Sequence, residues 1–181
     1  MRKIDKKLNS LIPGGAHTYS RGFDQFPDNS PQILKSGKGV YVFDEKNNKY
    51  IDYGMGLRSV ILGYANKEVN KAAIKAIQNG NNLTRPSTVE LDLAKYIVNN
   101  FKHVDMVKFC KNSSNAVTGA VKLSRAYNKK NIILRCQDHP FFSFDDWFIT
   151  STDLKRGIPS VYSKLTLTFN YNDLESLKKK I

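Results

Sequence analysis

Residues 106–127, MVKFCKNSSNAVTGAVKLSRAY, set a run of strand formers, a polar turn and a helix end to end with no spare residue between them. Met106, Val107, Phe109 and Cys110 favour extended backbone, so residues 104–110 are expected as a strand. Lys111, Asn112, Ser113, Ser114 and Asn115 follow with turn and cap chemistry. Ala116, Ala120, Leu123 and Tyr127 then recur at helical spacing, and Val117 and Val121 widen the same face. Its small residues suit close packing on a sheet. The first amides of such a helix lack intrahelical acceptors and sit at the positive end of the dipole, which makes the turn a natural anion site. The hydroxyls of Ser113 and Ser114 add donors, and a phosphate fits that description. A plain N-cap explains the same residues without any ligand.

Downstream, residues 131–136 read as a further strand, so the order becomes helix, strand, helix, strand, which specifies an α/β protein with parallel strands and crossover helices. Residues 138–148, DHPFFSFDDWF, place four phenylalanines and the only tryptophan just beyond the C-terminal end of that strand. Ligands of open α/β sheets bind there. These aromatics make either a local core or a surface on which a flat heteroaromatic ring stacks. Residues 164–169 alternate as another strand, and Asp173 opens a helix carrying Leu174, Leu177 and Ile181. With an ending of KKKI and only two or three parallel strands, the chain is expected to be a fragment of a larger domain.

Upstream, Ser87 and Glu90 form a capping box for a helix with Val89, Leu93, Tyr96, Ile97 and Phe101 on one face. Val69, Ala72, Ala73, Ala76 and Ile77 mark an earlier helix that Gly80 ends. Val40, Tyr41, Val42 and Phe43 with Tyr50, Ile51 and Tyr53 are strand formers separated by a turn holding Asn47 and Asn48, a hairpin to which residues 59–62 are expected to add a third strand. Ile4, Leu8, Leu11 and Ile12 share a helical face over residues 2–11, which Pro13, Gly14 and Gly15 stop. Residues 16–32, with Arg21, are expected as an ordered loop. The organisation is then an N-terminal segment over 1–80 and an incomplete large domain over 81–181.

The 181 residues are 40% hydrophobic and 25% charged, an ordinary globular balance. Lys and Arg number 29 against 16 Asp and Glu, a formal charge of +13. That sign favours acidic partners, but the lysines are scattered among asparagines and no basic block is interleaved with aromatics, so the charge reads as solvated surface. Cys110 and Cys136 are expected as reduced, buried thiols at strand ends. His17, His103 and His139 are far apart and lack ligand spacing to either cysteine, which argues against a metal. No run approaches the ~20 apolar residues of a membrane span, and the N-terminus lacks the apolar region of a signal peptide, so a cytoplasmic protein is expected.

Taken in order, PGGAHTYSRG, GVYVFDEKNNKYIDYGMGLRSVILGY, ELDLAKYIV, MVKFCKNSSNAVTGAVKLSRAY and DHPFFSFDDWF resemble the N-terminal part of class III pyridoxal-phosphate aminotransferases, most of all their glutamate-1-semialdehyde 2,1-aminomutase-like branch. The resemblance implies fold type I, with the N-terminal part of the small domain followed by an incomplete, mainly parallel sheet of the cofactor-binding large domain. It also implies a homodimer, pyridoxal 5′-phosphate as cofactor and a small amino acid or amino-aldehyde as substrate. By that resemblance Ser113 and Ser114 grip the cofactor phosphate, with Ser113 where a glycine is usual and Asn115 where an acid is usual. Phe141 stands where an aromatic stacks on the pyridine ring, Phe142 where a histidine is frequent, and Arg21 where an arginine after PGG binds the substrate carboxylate. The family's cofactor-binding lysine and the aspartate that pairs with the pyridinium belong to later sequence, so no catalytic residue is assigned and these residues alone are expected to be inactive. Aminotransferases and the aminomutase share this half. A basic nucleic-acid-binding module using the +13 charge is one alternative, disfavoured by the scattered lysines, and a non-catalytic dimerisation fragment is another.

Overall fold

The computed structural model describes residues 2–139 and 142–181. It divides into two compact units, Met1–Pro86 and Ser87–Ile181.

The first unit begins with α1 (Lys3–Leu11). The Asp5 carboxylate, buried in the first turn, accepts the Arg2 amide at 3.1 Å and Arg2 Nε at 3.0 Å. Arg2 Nη1 in turn donates to the carbonyls of Asp28 and Ser30, at 2.7 and 2.9 Å, and ties the helix to the following loop. That loop is filled by 3₁₀ turns at Pro13–Gly15, Tyr19–Arg21 and Phe23–Gln25. A three-stranded antiparallel sheet follows, β1 (Leu34–Lys38), β2 (Tyr41–Asp44) and β3 (Lys49–Ile51), in that spatial order. The hairpin between β2 and β3 is organised by Asp44, whose carboxylate accepts the amides of Lys46 and Asn48 at 2.9 and 2.8 Å, while Asn47 takes the left-handed conformation at φ 63°.

The third strand is therefore residues 34–38 and not residues 59–62. After β3 the chain coils into α2 (Met55–Arg58), a single turn of left-handed hand, and returns to the sheet only through a bridge between Gly39 and Tyr64. A segment leaving a reversed turn has no room to extend along the ladder. α3 (Lys67–Gln78) closes the unit, with Asn66 Oδ1 accepting the amides of Glu68 and Val69.

The second unit opens with α4 (Thr88–Asn100), whose capping box is formed: Ser87 Oγ accepts the Glu90 amide at 3.3 Å and Glu90 Oε2 accepts the Ser87 amide at 2.7 Å. Residues 104–110 were expected as a strand but belong to no ladder. A strand exists by pairing, and among the described residues no other strand pairs with this run, whose Val104 amide turns back to the Phe101 carbonyl at 3.0 Å. α5 (Ser113–Asn128) follows and ends on Lys129 at φ 53°. β4 (Ile133–Cys136) pairs in parallel with β5 (Thr166–Phe169), Ile133 opposite Thr166 and Cys136 opposite Phe169. The crossover runs through α6 (Asp146–Ile149) and a 3₁₀ turn at Ser160–Lys164, and α7 (Leu174–Lys178) is capped by Asp173.

The core of this unit is the aromatic segment. Trp147, Phe148 and Ile149 are buried, and Phe148 meets both Phe142 and Trp147 edge to face, at 5.8 and 5.6 Å between centroids. The Arg135 guanidinium lies 4.5 Å over the Phe148 ring. The local-core alternative thus describes Trp147 and Phe148, whereas Phe142 and Phe144 are exposed. By contrast α4 and α5 contain no buried residue, and Val89 and Tyr127 are 65% and 85% exposed. Both cysteines also depart from expectation. Cys110, in a run that joins no ladder, is exposed, and Cys136, at the end of a two-stranded sheet, is only half-buried.

Candidate functional site

Three of the expected cofactor-binding residues sit together at the start of α5. Asn112 is the N-cap: its Oδ1 accepts the Asn115 amide at 3.0 Å, and its carbonyl accepts the Ala116 amide at 3.1 Å. Neither the Ser113 nor the Ser114 amide has an acceptor among the described residues. Ser113 is exposed and Ser114 half-buried. The Ser114 hydroxyl donates to the Phe142 carbonyl at 3.3 Å, so the aromatic segment reaches the turn. Two open amides, the Ser113 hydroxyl and a helix N-terminus together offer donors suited to an anion. The Asn115 amide is committed to the cap. Phe141 lies outside the described residues.

A buried-edge network fixes this arrangement one turn further along. Thr118 Oγ1 donates to Asp145 Oδ2 at 2.6 Å, the Ser143 hydroxyl donates to the same oxygen at 2.8 Å, and Trp147 Nε1 donates to Thr118 Oγ1 at 2.8 Å. The hydrogen bonds from Thr118 and then Ser143 hold the Asp145 carboxyl below its ordinary pKa against the opposing effect of burial, with Lys122 adding to the lowering. Asp145, Thr118 and Trp147 escaped the sequence, because a contact across 27 or 29 residues leaves no periodic trace.

Arg21 occupies a different place, on the wall of a recess of about 670 Å³ in the first unit. Arg2, Phe23, Phe26, Asp52 and Leu57 also line it, so it combines guanidinium groups with apolar walls. Beside it, α2 holds Met55, Gly56, Leu57 and Arg58 at φ 47°, 59°, 61° and 69°. For a non-glycine residue that conformation costs roughly 1–2 kcal/mol. Asp52 opposes the cost: Oδ1 accepts the Gly54 amide at 2.9 Å, and Oδ2 accepts the Gly56 amide at 3.0 Å and the Tyr64 hydroxyl at 2.5 Å. The Tyr64 bond, ahead of the backbone amides, lowers the Asp52 pKa, and the same bond raises that of Tyr64. Gly56 was the sole hint of this turn in the sequence.

The Aminotransferase class-III profile matches residues 24–149 of this chain. The chain belongs to the class-III aminotransferase family. Within that family it is 29% identical over 97% of its length to the glutamate-1-semialdehyde 2,1-aminomutase of Clostridium kluyveri, and 31% identical over 98% to that of Wigglesworthia glossinidia brevipalpis. The chain spans 43% of the length of each of these relatives. Among solved structures, the PLP internal aldimine form of the Sphingopyxis sp. MTA144 FumI protein superposes with a TM-score of 0.85 at 28% identity, over 98% of this chain and 42% of that one. An omega-transaminase from Sphaerobacter thermophilus gives a TM-score of 0.84 at 19% identity, over 97% and 42%, and shares the fold. The mixed helices and incomplete sheets are part of the fold type I transferase fold. Among the described residues, no group of three or more His, Cys, Asp and Glu gathers to hold a metal, and no helix is long and apolar enough to cross a membrane.

Proposed function

We propose that these residues are the N-terminal part of a pyridoxal 5′-phosphate-dependent enzyme that moves an amino group on a small amino acid or amino-aldehyde carboxylate, as an aminotransferase or an aminomutase. The observation that carries this is the pair of open amides at Ser113 and Ser114 on the first turn of a 16-residue helix, in a chain of this family. Donors without an opposing carboxylate fit the cofactor's phosphate. Ser113, Ser114 and Asn115 would hold that phosphate, and Phe141 is the aromatic that would stack on the ring. Arg21 binds the substrate carboxylate by a two-pronged hydrogen bond. When bound, the cofactor supplies an electron sink for charge developing at the substrate carbon. No lysine among these residues is assigned to hold it covalently, and the 181 residues by themselves are proposed to be inactive. Residues 1–80 serve the small domain and residues 81–181 the cofactor-binding domain. The exposed apolar faces of α4 and α5 support a homodimer. A cytoplasmic setting accords with two free cysteines.

Ser113→Asp separates phosphate binding from capping. An acidic residue in the first turn favours the helix but repels phosphate. Equilibrium dialysis of pyridoxal 5′-phosphate is expected to show saturable binding that falls at least tenfold in Ser113→Asp with the melting temperature kept. Equal binding by the two proteins removes the proposal.

A further inference from the structure

The left-handed turn α2 has a support that reaches the sheet. Tyr64 is fixed twice: its backbone exchanges hydrogen bonds with Gly39, at 2.9 and 2.8 Å, and its ring lies so close over Gly37 that a Cβ there would sit 2.5 Å from Tyr64 Cγ. From this anchored ring the hydroxyl reaches Asp52 Oδ2, and Asp52 passes the restraint to the amides of Gly54 and Gly56. Gly54, Gly56 and Leu57 line the recess that Arg21 also lines. Met55, Leu57 and Arg58 are held in a conformation L-residues avoid, and strain of this kind persists only where its surroundings over-determine it. Without the carboxylate the three non-glycine residues would relax to negative φ, and Leu57 would leave the wall.

We propose that Asp52 is a positioning residue, which through the amides of Gly54 and Gly56 and the Tyr64 hydroxyl keeps Met55–Arg58 left-handed, so that Gly56 and Leu57 of that turn stay on the wall of the recess that Arg21 also lines. The consequence for ligand binding rests on Arg21 being the carboxylate-binding residue of that recess.

The test uses the 181-residue chain and 4-aminobutanoate, a small amino carboxylate, as probe. Left-handed residues show a strong amide-to-Hα cross-peak within the residue in NMR, because φ near +60° brings those protons together. The unchanged chain is expected to show these peaks at Met55, Leu57 and Arg58 and to bind the probe in a calorimetric titration. Asp52→Ala is expected to lose the peaks and bind about tenfold more weakly. Adding Met55→Gly and Arg58→Gly to Asp52→Ala removes the steric objection to positive φ at two of the three non-glycine positions, so affinity returns to within about threefold. A carboxylate with only a general structural role would not be rescued that way. Should Asp52→Ala not fold, Tyr64→Phe removes one restraint and is expected to weaken binding about threefold. Retained peaks in Asp52→Ala, or lost peaks with unchanged affinity, overturn the role of Asp52. A probe that binds Arg21→Ala as tightly as the unchanged chain, or does not bind at all, removes the reading of Arg21 and the ligand consequence with it, while the peaks still report on the turn.

Discussion

The first turn of α5 and the left-handed turn α2 make two candidate binding elements by opposite means. At α5 the backbone is regular, Asn112 closes the cap, and the donors offered are those any helix leaves open. At α2 three non-glycine residues sit at positive φ, and the geometry is imposed by a carboxylate and a tyrosine from outside the turn. An element made from local chemistry tolerates change around it. An element made from strain fails when its restraint is removed.

The largest expected effect probes what binds the regular helix to its loop. Asp145→Ala removes the acceptor of both Thr118 and Ser143, and Ser143 is fully buried. A buried hydroxyl left without its charged partner is expected to cost about 2–3 kcal/mol in urea unfolding, and a loss under about 0.5 kcal/mol would show that α5 does not depend on the loop. Acid sharpens the same point in both units. Asp52 and Asp145 have folded pKa values below the ordinary Asp value of about 3.9, so their contribution is complete above that value and is lost as pH falls through the lowered folded pKa. Stability is thus expected to drop below about pH 4, and Asp145→Asn should flatten that part of the acid titration followed by tryptophan fluorescence.

Smaller effects distinguish the two turns directly. Asn112→Ala removes a cap and is expected to cost about 1 kcal/mol by thermal melting. Arg58→Gly should do the reverse, gaining roughly 0.5–1 kcal/mol, since glycine accepts φ 69° without the steric objection and Arg58 is exposed. A destabilised Arg58→Gly would mean the turn is not strained.

The regular element was legible in the sequence and the strained one was not, for the same reason. Asn112 and Ser87 with Glu90 act on amides three residues away, so their spacing is visible in one dimension. The hairpin was equally open to view, because Asp44, Asn47 and Asn48 carry turn chemistry. Asp52 acts partly through Tyr64, twelve residues on, and Met-Gly-Leu-Arg holds no signal for three positive-φ residues beyond its glycine. The error at residues 59–62 followed from missing that turn. The error at residues 104–110 was of another kind: the strand propensity is real, but pairing depends on neighbours a single run cannot specify. Ser113 and Ser114 were singled out from the cap pattern and Asn115 from the family resemblance, whereas the Thr118–Asp145–Trp147 network next to them left no sequence signal.

The most direct test of the account follows backbone amides in ¹⁵N-resolved NMR while pyridoxal 5′-phosphate is added to the chain. The account predicts that the Ser113 and Ser114 amides shift furthest, moving downfield as they gain a phosphate acceptor, while Asn115, already bonded to Asn112, moves less. Unmoved amides at Ser113 and Ser114, with shifts confined to residues beside surface lysines, would contradict it.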